Sequence, residues 1–175
     1  MGETGTASYV ELHARSAFSF LRGASSPESL VGTCASLAIP AIGLCDRGGV
    51  YGAARLYQKG KEHGVRAIVG AEVQMEDETV VPLLVATREG YRNLCALLTA
   101  GHLGAPKGEG RVSWSALAEM KAGLVALTGD EEGPVRRAWR ERGAAAAGEA
   151  FAKMRGIFER DSLFVEIQRH LVAGE

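Results

Sequence analysis

Several apolar segments of the chain are followed by side chains that can bind a metal ion or exchange a proton. They are His13, Asp46, Glu72, Glu166 and His170. In parallel α/β folds, side chains at the carboxyl ends of the strands meet at one edge of the sheet. Imidazole and carboxylate groups together are typical ligands of zinc or manganese. Strands also end in solvent, so the residue types alone leave a metal site and an ordinary polar rim both open.

Other kinds of catalytic or binding motif are missing from the sequence. It contains no G-x-G-x-x-G, no G-x-x-x-x-G-K-[ST] and no G-x-S-x-G, which argues against a nucleotide-binding loop and a serine hydrolase. Cys34, Cys45 and Cys95 lie far apart among apolar neighbours, with no C-x-x-C pair. We therefore expect buried thiols in a reducing compartment rather than a zinc–thiolate site.

Strands and helices alternate along the chain. Apolar runs and period-two patterns predict strands at 9–16, 41–45, 66–74, 79–86, 124–127 and 162–167. Helical spacing predicts helices at 27–38, 51–63, around 91–98, at 114–120 and at 134–158, the last broken near Gly143. The polar residues 75–78 suggest a hairpin. This order predicts an α/β fold with a mostly parallel sheet, and periodicity alone does not separate a barrel from an open sheet.

Length and charge limit the possible functions further. The 175 residues suffice for one domain, and 20 basic against 21 acidic residues give a net charge of −1. Autonomous nucleic-acid binders usually carry a clear basic excess, so this chain is a weak candidate, although a local basic face remains open. No apolar stretch is long enough to span a membrane and the first residues do not resemble a secretory signal, so we expect a cytoplasmic protein without a membrane partner.

The segment 9–25, YVELHARSAFSFLRGAS, closely resembles the first motif of the polymerase-and-histidinol-phosphatase (PHP) domain. It is most similar to the version at the amino terminus of bacterial DNA polymerase III alpha subunits, and the wording of residues 18–25 is similar to the error-prone class. Further segments resemble later motifs in the same order: 43–52, 68–72, 90–94, 123–129 and 166–170. The resemblance implies a distorted (β/α)7 barrel, incomplete here at the carboxyl terminus. It also implies, for intact members, a metal-dependent phosphoesterase site.

The sequence departs from the family pattern at the metal-binding positions. The first motif is normally H-x-H, and here Arg15 follows His13; the second normally has histidine after the aspartate, and here Arg47 follows Asp46. Gly48 replaces a residue that is often acidic. A guanidinium cannot lose its proton to bind a metal, and it repels metal cations nearby. Arg15, Arg47 and Gly48 are therefore predicted to have eroded the site.

The residues left as a remnant metal site are His13, Asp46, Glu72 and His170. We expect Arg15 and Arg47 to form ion pairs with Asp46 and Glu72 in place of the metals. On this interpretation no cofactor is bound, and zinc or manganese is the candidate if the site survives.

Residues 1–8 are expected to be a flexible tail, and 9–175 a partial PHP domain without polymerase activity of its own. Its expected role is structural, within an error-prone DNA polymerase III alpha subunit that acts in replication, translesion synthesis and repair. The expected partners are the remainder of that subunit and translesion accessory proteins, with DNA reached only through the full polymerase. The alternative is a metal-dependent phosphoesterase or 3′–5′ exonuclease that uses the reduced site.

Overall fold

A computed structural model describes residues 9–103, 105–106 and 108–168; the expected tail at 1–8 and His170 lie outside them. Six strands form one sheet: β1 (Glu11–Ala14), β2 (Ala41–Arg47), β3 (Arg66–Gln74), β4 (Val80–Val85), β5 (Leu124–Leu127) and β6 (Leu163–Phe164). Six α-helices accompany them: α1 (Pro27–Ser36), α2 (Ala53–His63), α3 (Arg88–His102), α4 (Trp114–Glu119), α5 (Pro134–Arg142) and α6 (Ala144–Ile157). A short 3-10 helix spans Arg160–Ser162.

The strands lie in the sheet in the same order as in the chain, from β1 to β6. β1, β2 and β3 are parallel, β4 runs antiparallel to both of its neighbours, and β5 and β6 are parallel. The predicted hairpin between β3 and β4 is confirmed, with Glu78 at a φ of 63° in its turn. β1, β2, β3, β5 and β6 therefore point the same way, and their carboxyl ends form one rim, which we call the barrel mouth.

Local sequence signals account for where several helices begin and end. The Ser26 side chain accepts a hydrogen bond from the Ser29 amide, and Pro27 occupies the first turn of α1. Gly64, at a φ of 69°, ends α2 in the left-handed conformation that glycine adopts without strain. Gly143, at a φ of 85°, separates α5 from α6. The predicted break in the long helical segment is thus confirmed.

Two main apolar clusters support the sheet. The larger one packs α3, α4 and α6 against β3, β4 and β5, with Leu94, Leu117 and Met154 fully buried. The smaller one joins α1 and α2 to β2, around Val31 and Leu56. Burial of this kind contributes roughly 25 cal/mol for each Å² of apolar surface, so these clusters hold the rigid frame behind the barrel mouth.

β1 is shorter than predicted, since it covers Glu11–Ala14 rather than residues 9–16. The chain leaves the strand because the amide and hydroxyl of Ser16 turn toward Asp46 on β2 and bond to its carboxylate. The following residues form turns rather than sheet. Arg15 thus lies at the barrel mouth, just beyond the end of its strand.

The sheet curls so that its two edge strands approach each other. Nδ1 of His13 on β1 lies 2.7 Å from Oε1 of Glu166, just after β6. A flat six-stranded sheet would hold its edges about five strand spacings apart, each about 4.8 Å. The described residues therefore form a half-barrel with helices outside. Among these residues, no helix is long and apolar enough to cross a membrane.

Candidate functional site

Glu72 on β3 is the centre of the barrel mouth. Its side chain is fully buried. Nε2 of His13 lies 2.9 Å from its Oε1. Arg15 donates from Nε to the same oxygen, and Arg47 donates from Nε to Oε2. One buried carboxylate therefore contacts three cationic or protonatable side chains from two neighbouring strands.

A second layer of carboxylates neutralises the outer ends of the two guanidinium groups. Both acids come from the loop after β5. Arg15 donates to Asp130, and Arg47 donates to Glu132 over 2.7 Å. Glu132 also pairs with Arg22, which is more exposed. Asp130 and Glu132 were not predicted as site residues; their place soon after the apolar strand β5 is the sequence signal that indicates them.

His13 has a carboxylate on each side of its ring. Nε2 faces Glu72, and Nδ1 faces Glu166 at 2.7 Å. Burial lowers the pKa of His13, but the hydrogen bonds to Glu166 and Glu72 and their charges outweigh this effect and raise it from 6.5 to about 9. Both ring nitrogens are therefore protonated at neutral pH, and both act as donors.

The same contacts shift Glu72 in the opposite direction. Burial raises its pKa, but the hydrogen bond from His13 and the charges of Arg47 and Arg15 outweigh burial and lower the pKa from 4.5 to about 2. Glu72 is thus a carboxylate throughout the physiological range. The buried Glu72 carboxylate needs the neighbouring cations, because an unpaired buried charge would lower the stability of the fold by several kcal/mol.

The expected pairing of the arginines with Asp46 is wrong, although their pairing with Glu72 is found. Asp46 is almost fully buried and accepts hydrogen bonds from the Ser16 amide at 2.9 Å, the Ser16 hydroxyl at 2.9 Å and the Ser19 hydroxyl at 2.7 Å. The neighbouring Ser19 hydroxyl also accepts from the Arg47 amide. Asp46 therefore holds the loop after β1 in place, because hydroxyl and amide donors occupy its oxygens.

Gly48 has a backbone role at the mouth. Its φ of 66° is in the left-handed region, and its amide donates to the Glu72 carbonyl at 2.9 Å. The His102 ring nitrogen Nε2 lies 2.8 Å from the Gly48 carbonyl. Glycine suits this turn because a side chain at such a φ is strained. An acidic residue here would carry that conformational cost.

The donor set does not fit a metal ion as it stands. Both nitrogens of His13 face carboxylates, both oxygens of Glu72 accept from arginines, and Asp46 is taken by serine donors. Within 9–103, 105–106 and 108–168, no three His, Cys, Asp or Glu side chains are arranged to hold a metal. Oε2 of Glu166 has no hydrogen-bond partner among those residues, but one carboxylate oxygen is not a metal site.

The cluster is balanced in charge without a metal. Its anions are Glu72, Asp130, Glu132 and Glu166, and its cations are His13, Arg15, Arg22 and Arg47. We call these eight side chains the charge cluster. Of the predicted remnant metal site, His13 and Glu72 are in contact. Asp46 is hydrogen-bonded instead to Ser16 and Ser19, which we call the serine cradle. His170 is outside the described residues.

The comparisons with known proteins agree with this architecture. The PHP domain family matches residues 11–170. An error-prone DNA polymerase of Mycobacterium bovis is 41% identical over 174 residues, which cover 93% of this chain and 16% of that polymerase. An error-prone DNA polymerase of Anaeromyxobacter sp. (strain K) is 36% identical and is matched over 95% of this chain and 15% of its own length. The chain thus spans about one sixth of the length of these relatives.

A solved structure from Bifidobacterium adolescentis, provisionally assigned as a metal-dependent phosphoesterase, shares the fold. The TM-score is 0.54 at 13% sequence identity, with 85% of this chain and 75% of that chain covered. At this identity the likeness bears on architecture alone. It confirms the α/β barrel class that the sequence motifs predicted.

Proposed function

The chain belongs to the PHP domain family, and from that premise we propose that it is the PHP portion of an error-prone DNA polymerase whose barrel mouth is a structural ion-pair network. Relatives of that name match nearly the whole chain at 36–41% identity. In this role the domain takes part in replication, translesion synthesis and repair as a brace for the polymerase. Its partners are the remainder of the alpha subunit and translesion accessory proteins, and it has no polymerase activity alone.

The observation that carries this proposal is the environment of Glu72. A fully buried carboxylate that accepts from both Arg15 and Arg47 has its charge neutralised by side chains that never lose their protons. A metal ion at the same place would have to displace both guanidinium groups and would be repelled by them while they remained near. The guanidinium groups of Arg15 and Arg47 therefore supply the positive charge that metals supply in intact PHP sites.

An enzymatic function is the second candidate, favoured by the contact between His13 and Glu72 at the mouth of a phosphoesterase-like fold. It would be a metal-dependent phosphoesterase or 3′–5′ exonuclease that uses His13, Asp46, Glu72 and His170, with zinc or manganese. For this, His13 would have to give up a proton and its two carboxylate contacts. Those contacts raise its proton affinity and so oppose that change.

The test is to count metal ions after loading. The wild-type chain and an Arg15→His/Arg47→His variant are incubated with Zn²⁺ or Mn²⁺, desalted and measured by plasma mass spectrometry. We expect much less than one ion per wild-type chain and about one or more per variant chain, because the substitution removes two cations and adds two imidazoles.

An Arg15→Gln/Arg47→Gln variant is the matched control, since it removes the same two charges without adding ligands. Circular dichroism establishes that each variant is folded. About one ion per wild-type chain, together with phosphodiester hydrolysis that His13→Ala abolishes, would favour the enzymatic candidate. A folded double-histidine variant without metal affinity would mean that the arginines are not what closed the site.

A further inference from the structure

Helix α5 carries a concentration of positive charge that the net charge of the whole chain conceals. Its nine residues, PVRRAWRER, contain four arginines and one glutamate, a net charge of 4 − 1 = +3, whereas the complete chain has a net charge of −1. α5 begins just after the loop that holds Asp130 and Glu132. This basic surface therefore starts beside the barrel mouth and runs along the outside of the domain.

An exposed tryptophan lies within this basic surface. The exposed fraction of Trp139 is 65%, whereas the other tryptophan, Trp114, is buried at 7%. Side chains three positions apart are neighbours on a helix, so Arg136 and Arg142 flank the indole in one row. At 1.5 Å per residue this row is about 9 Å long. We call Arg136, Trp139, Arg140 and Arg142 the α5 face.

The arginines of the α5 face are available to a partner. Arg136 has only a 3.6 Å contact with Glu131, and both side chains are more than half exposed. Arg140 and Arg142 are exposed and form no ion pair with any residue in the described part of the chain. Arg137, on the inner side of the helix, is instead paired with Glu141. The helix therefore carries one arginine paired with glutamates and three exposed arginines, of which Arg142 lies at the edge of a cavity that Arg137 and Glu149 also line.

The composition of the face suits a nucleic acid strand better than a protein. A protein interface usually has an apolar core within a polar rim. Trp139 is the only large apolar side chain of α5 that is exposed. A lone aromatic ring among guanidinium groups is the arrangement in which a base stacks on the ring while arginines bind the phosphates. Such stacking is open only to a base that is not already stacked in a duplex.

We infer that the α5 face binds single-stranded nucleic acid, with Trp139 stacking on a base and Arg136, Arg140 and Arg142 contacting phosphates. The inference rests on the proposed function in one respect only: if the chain is part of a polymerase, the single strand would be the DNA on which that polymerase acts. It goes beyond that proposal because the domain itself would touch the strand beside the barrel mouth, without the rest of the polymerase.

The test uses the 175-residue chain and a fluorescein-labelled oligothymidylate, with binding followed by anisotropy at several salt concentrations. Trp139→Ala should raise Kd at least about fivefold, the lower end for removal of one base–aromatic stack, and Trp139→Phe should raise it less. Oligothymidylate should quench tryptophan emission in the wild type and leave it unchanged in Trp139→Phe, since Trp114 is buried.

Charge variants test the binding of phosphates separately. Arg136→Gln/Arg142→Gln should reduce the slope of log K against log salt by about 1.4, because each phosphate of a single strand that an arginine neutralises adds about 0.7 to that slope. Lys61→Gln/Arg66→Gln is the matched control: it removes the same charge from the last turn of α2 and the first residue of β3, opposite the mouth. This control should leave the slope unchanged.

Three results would overturn the inference. The first is the absence of specific binding at the α5 face, seen either as no binding by the wild type at low salt or as equally weakened binding in the α5 and control charge variants. The second is that duplex DNA displaces the labelled oligothymidylate as strongly as an unlabelled single strand does. Bases in a duplex are already stacked, so this result would contradict the stacking role of Trp139. The third is polyglutamate competing as strongly, which would favour an acidic protein partner. None of these depends on metal content, so this inference and the proposed function fail separately.

Discussion

Nδ1 of His13 lies 2.7 Å from Oε1 of Glu166, and this contact joins the two edges of the sheet. His13 belongs to β1 and Glu166 follows β6, so the pair spans 153 positions of the chain. The other ring nitrogen contacts Glu72 on β3. One imidazolium thus connects three strands, and its protonation state bears directly on the stability of the mouth.

Raising the pH is expected to destabilise the protein through His13. Its pKa is raised from 6.5 to about 9, so the folded state holds the proton more tightly than the unfolded state. The resulting stabilisation is complete below pH 6.5 and is lost as the pH rises through about 9. A shift of this size corresponds to at most about 3 kcal/mol. Urea unfolding between pH 6 and pH 10 measures it.

His13→Asn should flatten that pH dependence, and His63→Gln, which removes an exposed imidazole at the end of α2, should not. A nuclear magnetic resonance titration of the imidazole gives the pKa directly. Midpoints for His13 at or below 6.5 would contradict the prediction.

Removing the charge of Glu72 should be strongly destabilising. Glu72→Gln leaves His13, Arg15 and Arg47 without their shared carboxylate in a buried setting, and breaking a buried ion pair in this way costs about 3–5 kcal/mol. Glu78→Gln is the control, since that side chain is 75% exposed and its replacement should cost little. The free energy of unfolding from urea titrations compares them; equal values would refute the central place of Glu72.

Acid should destabilise the protein through the same carboxylate. The pKa of Glu72 is lowered from 4.5 to about 2, so its stabilisation is present above pH 4.5 and is lost as the pH falls toward 2. The wild type should lose stability over this range more steeply than Glu72→Gln does. Parallel curves for the two proteins would show that other groups cause the acid sensitivity.

The hydrogen bonds from Ser16 and Ser19 to Asp46 should stabilise the conformation of the loop after β1. Ser19→Ala removes one donor to Asp46 and the acceptor of the Arg47 amide, which should cost about 1–3 kcal/mol for buried groups left unpaired. Amide hydrogen exchange should speed up at Arg47. Ser36→Ala, an exposed change at the end of α1, is the control and should leave that amide unaffected.

Two glycine substitutions should have opposite effects although both lie in helices. A Cβ on Gly90 in α3 would come within 1.9 Å of the Gly123 carbonyl oxygen, whereas a Cβ on Gly32 in α1 meets nothing within 4 Å. Gly90→Ala should lower the melting temperature, because backbone would have to move. Gly32→Ala should raise stability by about 0.4–1 kcal/mol by restricting the unfolded chain. Thermal unfolding of both variants tests the packing of α3 against the start of β5.

The sequence was informative wherever local pattern decides structure. The apolar run of β2, the cap at Ser26 and the break at Gly143 depend on neighbouring residues, and each is where the pattern indicated. The two arginines were recognised because the first and second motifs set the expected residue type at their positions. Their pairing with Glu72 is consistent with the parallel order of β1, β2 and β3, whose carboxyl ends lie along one rim.

The rest of the candidate site depends on contacts that no local pattern encodes. Asp130 reaches Arg15 across 115 positions and Glu132 reaches Arg47 across 85, because the sheet curls and brings the loop after β5 over the mouth. Asp46 accepts from hydroxyl donors rather than from a guanidinium because the chain turns at Ser16. Several donors in the sequence could bind a given carboxylate. The distance between the groups in the folded chain decides which one does, and sequence spacing does not give that distance.

The strand order of the sheet also bears on how the domain is made. Every strand pairs with the one that precedes it in the chain, so during synthesis each new strand finds its neighbour already present. The sheet can therefore grow outward from its first strands, as domains commonly fold while the chain emerges. His13 is synthesised 153 positions before Glu166, so its ring can form this contact only after Glu166 has been added to the chain. Until then the imidazole lacks one of the two carboxylates that raise its pKa, and closing the sheet is the step that completes its pairing.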